Sequence, residues 1–250
     1  MSTTRKNTGR KTPLHFNYEA HRFYRKVASH LKSMLGKQLP RHIVIACSGG
    51  PDSIALVDMM HRFACEHTVI PVVVHVNHHL RGKESQRDAK FVREFCQKRD
   101  LPVVVLDAKL SKSGNVQKMA RDLRYAALTA AARITKSPVV LTAHHANDQA
   151  ETVLLHMLRG SGPRVLSGIH AKRLLSQKIQ LLRPLLPYTR PELEAYIENA
   201  RLPYVKDRSN RSLKYTRNWI RKEVMPLLAK QNPRVVEALC QVAQQCREVK

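Results

Sequence analysis

Acidic residues are scarce in this chain. Its 250 residues include 44 lysines and arginines but only 19 aspartates and glutamates, so the formal net charge is +25. The excess is densest at the two ends: residues 1–41 carry ten basic side chains against one acid, and residues 201–250 carry twelve against four. A site for one small nucleotide needs only a few cations, so this excess favours a polyanionic partner, most simply a nucleic acid. A solvated basic surface is the alternative interpretation.

Long apolar runs are absent too. No run reaches the ~18–20 residues that a membrane-spanning helix needs, so we expect no membrane span. The N-terminus has no apolar leader, which argues against a secretory signal and favours a cytoplasmic protein. Residues 1–15 are basic and contain no acid. We interpret them as a basic tail, with an organelle import segment as the alternative.

Cysteines are few and poorly arranged for a shared site. There are five cysteines, an odd number, and no two of them form a C-x-x-C pair. A disulfide framework and a cysteine-rich zinc site are therefore not expected. Reduced, mostly structural cysteines fit the pattern best.

What the sequence does contain is a regular alternation of two patterns. Short runs rich in β-branched residues predict four strands, at 42–47, 69–76, 102–106 and 138–142. Apolar residues at helical spacing follow each run, at 53–63, 84–99, 116–134 and 150–158. This alternation is typical of βαβ crossovers. It predicts an α/β fold, a doubly wound and mostly parallel sheet with helices on both faces.

The pattern changes after residue 168. Residues 179–182 predict an edge strand, and helices are predicted at 191–199, at 215–228 with a kink near Pro226, and at 235–249. We therefore divide the chain into a basic tail (1–15), a nucleotide-binding α/β domain (16–185) and a small helical basic extension (186–250), with no further C-terminal domain.

A glycine-rich loop follows the first predicted strand and opens the next helix. It reads SGGPDS and consists of Ser48, Gly49, Gly50, Pro51, Asp52 and Ser53. Two glycines let the backbone approach an anion, and a helix N-terminus presents free N–H groups to it. No lysine follows, so the loop is not a Walker A motif. It predicts a pyrophosphate site made of backbone and hydroxyl groups, with Mg²⁺ balancing the charge. An ordinary turn capped by serine is the alternative.

A second polar cluster follows the fourth predicted strand, on the same rim of a parallel sheet. It contains His144, His145, Asp148 and Glu151, and the two acids are three residues apart on one helix face. Two carboxylates beside a pyrophosphate loop indicate Mg²⁺ ligation or capture of a cationic substrate group. The alternative is helix capping, with Asn147 or Asp148 as the N-cap and Glu151 completing a capping box.

Three weaker signals complete the set of candidates. Residues 75–82, HVNHHLRG, end the second predicted strand with three imidazoles, which are either site or loop residues. Arg121 and Arg124 share one face of a predicted helix, where they clamp a phosphate or a base or else form surface ion pairs. Trp219 and Ile220 lie in a basic predicted helix, and we interpret both as core residues.

The order of these motifs resembles the tRNA(Ile)-lysidine synthetase family, which belongs to the N-type ATP pyrophosphatases of the PP-loop superfamily. The motifs are SGGPDS, HVNHHLRG, ARDLRY, TAHHANDQAETVLLHMLRGSG, LLRPLL and DRSN…YTRNWIRKEVMP, over about residues 42–228. The first motif alone also fits GMP synthetases, NAD synthetases and tRNA thiolases. One departure is Asn147, where many members have aspartate. Larger members also carry a C-terminal region that grips the tRNA acceptor stem.

The resemblance implies an ATP-dependent reaction on tRNA. ATP would adenylate the C2 oxygen of the wobble cytidine in isoleucine tRNA with a CAU anticodon, and the side-chain amine of L-lysine would then displace AMP. By resemblance, catalytic roles fall on Asp52, Arg121 and Asp148, and the two aspartates would hold Mg²⁺. Substrate-binding roles fall on His144, His145, Glu151, Arg208, Arg217 and Arg221, the arginines as tRNA contacts. The resemblance also admits a homodimer.

Other functions fit parts of the sequence. A tRNA-thiolating enzyme would activate a base in the same way, but it needs a catalytic cysteine and often a C-x-x-C pair. A tRNA-binding protein with a relic nucleotide site fits the charge but not the intact loop and both acids. A small-molecule amidating ligase would leave the net charge of +25 without a role.

Overall fold

The computed structural model of this chain describes residues 17–77, 82–108, 116–205 and 216–248. Strands and helices alternate along most of this length. In chain order the elements are α1 (Tyr18–Leu35), β1 (His42–Ala46), α2 (Pro51–Glu66), β2 (Ile70–Asn77), α3 (Lys83–Gln97), β3 (Val103–Asp107), α4 (Val116–Ile134), β4 (Val139–Leu141), α5 (Ala146–Met157), α6 (Pro163–Leu166), β5 (Lys172–Ser176), β6 (Ile179–Leu182), α7 (Arg190–Asn199), α8 (Thr216–Trp219), a π-helical turn (Ile220–Val224), α9 (Met225–Gln231) and α10 (Val235–Glu248).

Six strands form one sheet in the order β3-β2-β1-β4-β6-β5. Neighbouring strands are parallel except β5, which pairs antiparallel with β6 at the sheet edge. The predicted α/β fold with a mostly parallel sheet is confirmed. The prediction that residues 179–182 form an edge strand is wrong, because β6 lies between β4 and β5. Strand β5 pairs with the outer side of β6 and forms the edge of the sheet. Its sequence, KRLLS, has too weak an apolar pattern for a strand to be predicted there.

Helices cover both faces of the sheet. Ile43 and Ile45 of β1 point to one face, where they join a core with α1, α2, α3 and α7. Val44 points to the other face and packs in a second core with Leu128 of α4. All three β1 side chains are fully buried, as expected for a parallel strand between two helical layers.

The C-terminal helices pack on α5 through a third, smaller core. Ala150 of α5 meets Ile220, Met225 and Val235 there. The helix predicted over 215–228 is interrupted, because a π-helical turn precedes α9 and Pro226 lies in the first turn of α9. Proline lacks the N–H that would continue the hydrogen-bond ladder, which accounts for the break.

Helix α7 belongs to the main core although it lies within the predicted extension. Leu193, Tyr196 and Ile197 pack in the core shared with α1 and α2. The hydroxyl of Tyr196 also donates a hydrogen bond to the buried Asp58 Oδ2 of α2, at 2.8 Å. Helix α7 is thereby fixed alongside α2, whose first turn carries the glycine-rich loop.

The sheet reverses its direction of growth at β1. Strands β2 and β3 add on one side of β1, and β4 and β6 add on the other. In open parallel sheets ligands bind outside the carboxyl ends of the strands at such a reversal. The loop after β1 and the polar residues after β4 therefore face one crevice. No helix in the described ranges is long and apolar enough to cross a membrane.

Candidate active site

Hydrogen bonds within the SGGPDS loop hold it against the first turn of α2. Gly50 is the N-cap and Pro51 the first helical residue, a position that tolerates proline because its N–H would be unpaired. Ser53 Oγ donates to the carbonyl of Gly50 at 2.9 Å and accepts from the backbone N–H of Ser48 at 3.2 Å. The loop is thus shaped by its own hydroxyls, and the helix N-terminus behind it favours an anion.

Gly49 is the position in this loop where glycine is required. Its φ of +87° lies in the left-handed region, and an added Cβ would stand 3.4 Å from Val92 and 3.6 Å from Val205. Its carbonyl accepts a hydrogen bond from the N–H of Val205 at 3.0 Å. Helix α3 and the segment after α7 therefore close directly on the loop.

The second rim of the crevice is the start of α5. The helix begins at Ala146 with His145 as its N-cap, and the carboxylate of Asp148 accepts a hydrogen bond from the backbone N–H of His145 at 3.1 Å. The capping alternative considered above is therefore wrong in its residues, because the helix starts four residues before the apolar pattern indicates. Asn147 Oδ1 accepts from the N–H of Arg190 at 2.8 Å and so joins α5 to α7.

His145 links the two rims. Its Nε2 lies 3.7 Å from Asp52 Oδ2 and 3.6 Å from Asp148 Oδ2. Burial opposes protonation of this ring, but the two carboxylates outweigh it and raise the pKa of His145. His144 differs, because burial lowers its pKa to about 3. His145 thus favours the charged form, whereas the adjacent His144 favours the neutral form.

The acids Asp148 and Glu151 are both engaged by arginines of the C-terminal helices. Arg221 donates two hydrogen bonds to Glu151, from Nε to Oε1 at 2.6 Å and from Nη2 to Oε2 at 2.8 Å. Arg217 Nε donates to Glu151 Oε2 at 3.1 Å, and both arginines reach Asp148 Oδ1 at 3.3 Å. Burial would raise the pKa of Asp148, but His145 and Arg217 hold it below its ordinary value.

This ion-pair network differs from the expected use of these residues. The side chain of Glu151 is only 3% exposed, so its carboxylate is closed to a cationic substrate. The guanidinium groups of Arg217 and Arg221 point at the carboxylates of Asp148 and Glu151. The network instead fixes α8 and the π-helical turn on α5.

A cavity of about 450 Å³ opens between the two rims, and we call it the nucleotide cavity. Apolar side chains from β2 and α4 form its floor, while loop hydroxyls, acids and cations surround it. Its lining includes Ser48, Asp52, Ser53, Val74, Val76, Arg124, Leu128, His144, Asp148, Arg217 and Arg221. An apolar floor beside a helix N-terminus and several cations suits a nucleotide.

A second cavity, of about 570 Å³, lies on the other side of the loop, and we call it the acidic cavity. Four carboxylates line it together with two arginines and a histidine: Asp52, Asp88, Glu194, Glu198, Arg190, Arg221 and His145. It shares Ser48, Gly50, Asp52 and Arg221 with the nucleotide cavity, so the two meet at Asp52. Arg190 already pairs with Glu194 at 2.9 Å, but the four acids still outnumber the two arginines of this lining, which favours a cationic ligand. The sequence did not reveal this cavity, since its residues come from three helices far apart in the chain.

The remaining candidates are placed as follows. Arg121 is exposed and is absent from the lining of both cavities. Ile220 is buried as expected, but Trp219 is 41% exposed, so its interpretation as a core residue is wrong. The histidines at 78 and 79, and Arg208, lie outside the described residues.

The carboxylates at the junction suit Mg²⁺ only together with a ligand. Among the described residues, no three histidine, cysteine or acidic side chains are grouped as a metal site. Both oxygens of Asp148 already accept hydrogen bonds, whereas the side chain of Asp52 is 34% exposed. Mg²⁺ binds readily through one carboxylate plus phosphate oxygens and water. The donor set thus fits a metal ion delivered with a nucleotide.

Comparison with known sequences gives one family. A family model described as a PP-loop domain matches residues 23–228. The tRNA(Ile)-lysidine synthase of Rhodopirellula baltica is 36% identical over 239 residues, which is 88% of this chain and 60% of that protein. The enzyme of the same name from Pseudomonas fluorescens is 37% identical over 225 residues, 89% of this chain and 49% of that protein. The chain thus spans about half the length of the curated relatives it matches.

Solved structures agree on the fold. The U34-tRNA thiolase NcsA from Methanococcus maripaludis has a TM-score of 0.74 at 16% identity, covering 100% of this chain and 89% of that one. The NMN synthetase from Francisella tularensis has a TM-score of 0.56 at 10% identity, covering 94% and 98%. The family match and the sequence relatives confirm the resemblance seen in the motifs: this chain belongs to the PP-loop domain family.

Proposed function

We propose that this chain ligates L-lysine to C2 of the wobble cytidine in isoleucine tRNA with a CAU anticodon, using ATP and releasing AMP and pyrophosphate. The names of its sequence relatives support this. The observation that carries the proposal is the meeting of a cationic, apolar-floored cavity with an acidic one at Asp52. Joining a nucleotide-activated base to an amine requires both binding sites side by side.

The nucleotide cavity suits the first half of the reaction. Val74, Val76 and Leu128 offer an apolar surface to the adenine, and the loop presents backbone and hydroxyl donors to the phosphates. These donors would stabilise the charge that grows on the departing pyrophosphate when the cytidine oxygen attacks the α-phosphorus. Asp52, whose side chain is 34% exposed, would hold an Mg²⁺ ion that arrives with the nucleotide, and such an ion would neutralise further phosphate charge.

The acidic cavity suits the second half. Lysine enters as a cation, and the carboxylates of this cavity favour its ammonium group. We assign to Asp52 Oδ2 the proton that the amine must lose before its nitrogen can attack C2. The bond from C2 to the activated oxygen then breaks, and AMP leaves with that oxygen. His145, 3.7 Å from Asp52, keeps this carboxylate oriented.

In this proposal Arg217 and Arg221 act at the nucleotide cavity. Arg217 and Arg221 line the nucleotide cavity while paired with acids, so we assign them to orienting Asp148 and to the activated nucleotide rather than to distant tRNA phosphates. A tRNA contact by Arg208, catalysis by Arg121, a cytoplasmic location and a homodimer stay predictions.

The sulfur-transfer alternative finds little support in the thiols. Cys47 lines the nucleotide cavity but is buried, and burial raises its pKa. Burial likewise raises the pKa of Cys96 to about 12 and that of Cys240 to about 11. A thiol that transfers sulfur needs a lowered pKa in an exposed, electropositive place.

The test is incorporation of labelled lysine into an unmodified isoleucine tRNA transcript in the presence of ATP and Mg²⁺. We expect label in this transcript, and no label when methionine tRNA replaces it. Asp52→Asn should abolish labelling, while Asp100→Asn, at an exposed turn after α3, should leave it unchanged. No label with folded, ATP-binding protein would overturn the proposal. Label in both tRNAs would keep the reaction but contradict selectivity.

A further inference from the structure

A cluster of arginines surrounds the ring of Tyr125 on α4. The guanidinium carbons of Arg173, Arg124 and Arg121 lie 4.6, 5.7 and 5.8 Å from the ring centre. Arg183, just after β6, interacts with the Tyr125 hydroxyl, and the combined positive charge lowers the pKa of Tyr125 against the effect of burial. We call Arg121, Arg124, Arg173 and Arg183 the arginine cluster. It brings together α4, β5 and the end of β6.

The arginine cluster lacks acidic partners. Within the described residues, none of its four guanidinium groups has a carboxylate at ion-pair distance, in contrast to Arg217 and Arg221 on the opposite side of the nucleotide cavity. Burial and the neighbouring cations lower the pKa of Arg183. Four like charges held this close repel one another, so the arrangement is favourable only with an anion nearby.

Arg183 supplies an independent observation. The residue is only 3% exposed, and its Nε has no hydrogen-bond partner. One of its terminal nitrogens donates to the carbonyl of His170. At this exposure Arg183 adds its positive charge to the cluster from beneath the surface, and the exposed arginines of the cluster are the ones that an anion can contact.

The position of the cluster suits a long anion better than a single nucleotide. Arg124 lines the nucleotide cavity, whereas Arg173 and Tyr125 line an open groove of about 430 Å³ between α4 and β5. That groove continues along the outer surface past Thr129 to Arg133. The positive surface therefore begins beside the PP-loop and leads out to the edge strand of the sheet.

We propose that the backbone of the RNA substrate docks in the groove between α4 and β5, with its phosphates on the exposed arginines Arg121, Arg124 and Arg173 and the target base directed into the nucleotide cavity. The inference rests on the proposed function in taking RNA as the substrate. Guanidinium groups bind phosphate oxygens through paired hydrogen bonds, and phosphate contacts of this kind fix the register of a nucleic acid without reading its sequence. Tyr125 orders the guanidinium planes for this contact.

The experiment measures binding of an anticodon stem-loop RNA by fluorescence anisotropy at several salt concentrations, with no ATP or lysine present. Arg173→Ala should weaken binding about three- to tenfold and reduce the log–log salt slope by about 0.9, the value for one lost phosphate contact on a duplex. Arg173→Glu should weaken binding further. Lys98→Ala removes an exposed positive charge after α3, on the opposite face of the sheet, and should change neither quantity. ATP affinity should be unchanged in every variant.

Two results would overturn the inference. One is Arg173→Ala protein with unchanged RNA affinity and salt slope. The other is a loss of ATP affinity without loss of RNA affinity, which would assign the cluster to the nucleotide. The outcome is separate from that of the proposed function: RNA docking at Arg173 without lysine transfer would refute the ligase proposal alone, and lysine transfer with unchanged RNA binding in the variant would refute the docking proposal alone.

Discussion

Gly49 and Gly36 have nearly the same positive φ in very different surroundings. Their φ values are +87° and +85°, but an added Cβ at Gly36 meets nothing within 4 Å, whereas at Gly49 it meets α3 and the segment after α7. Both alanine variants carry the strain of a left-handed residue, about 1–2 kcal/mol. Only the variant at Gly49 places this strain inside the phosphate loop.

We therefore expect Gly49→Ala and Gly36→Ala to lower the free energy of unfolding by similar amounts, and only Gly49→Ala to weaken ATP binding, by tenfold or more as an order of magnitude. Urea unfolding and calorimetric titration with ATP measure the two effects. Equal ATP affinity in the two variants would mean that the loop adapts to a side chain at Gly49.

His144 makes a testable contribution to the pH dependence of stability. The unfolded chain takes up a proton on this ring below its ordinary pKa of 6.5, but the folded protein does so only near pH 3. Between these values the unfolded state binds more protons, so stability falls as the pH falls. His145, with a raised pKa, contributes in the opposite direction.

His144→Gln should remove the loss of stability that His144 causes as the pH falls. When the pH is lowered from about 7 to about 5, the variant should lose up to about 2 kcal/mol less stability than the parent protein. This value corresponds to one proton that the folded parent protein does not take up over the roughly 1.5 pH units between 6.5 and 5. Urea unfolding at the two pH values gives the difference directly. His21→Gln, on the exposed side of α1, is the matched control, and an equal response from it would refute the assignment.

At the scale of elements, the buried Glu151 is the polar contact that ties α8 and the π-helical turn to α5, beside the apolar contacts of Ala150. Two arginines from the segment spanning α8 and the π-helical turn bind its carboxylate. A neutral side chain at this position would leave both cations without their partner. Because the arginines are 40% and 30% exposed, water recovers part of the loss.

Glu151→Gln should therefore destabilise the protein by about 2–3 kcal/mol, less than for a fully buried pair. The chain should also become susceptible to limited proteolysis within residues 216–231, since α8 and α9 would lose their anchor. Glu94→Gln, which removes an exposed pair with Lys90, should cost within about 0.5 kcal/mol. Unchanged proteolysis of the Glu151 variant would show that the apolar contacts of Ala150 suffice.

At the scale of the whole molecule, the net charge of +25 opposes folding and favours RNA binding. Compaction brings like charges together, and salt screens their repulsion. Raising the NaCl concentration from about 50 mM to about 300 mM should therefore raise the Tm while it weakens binding of the stem-loop RNA. Thermal unfolding and anisotropy in the same buffers test both effects. A Tm that falls with salt would mean that ion pairs outweigh the net repulsion.

The sequence by itself determined the α/β fold, the position of the phosphate loop and the family. The alternation of β-branched runs with helical spacing reports burial of neighbouring residues, and SGGPDS between a strand and a helix is a local motif. Both depend on residues close together in the chain, which is why they could be read without coordinates.

The tertiary structure decided which side chains meet. The pairing of Glu151 with Arg221 joins residues 70 positions apart. The acidic cavity exists only because α7 packs beside α2 and brings Glu194 and Glu198 toward Asp52. The arginine cluster likewise forms where β5 meets α4. Periodicity describes one element at a time, whereas these contacts depend on how separate elements pack, and so only the folded structure could reveal them.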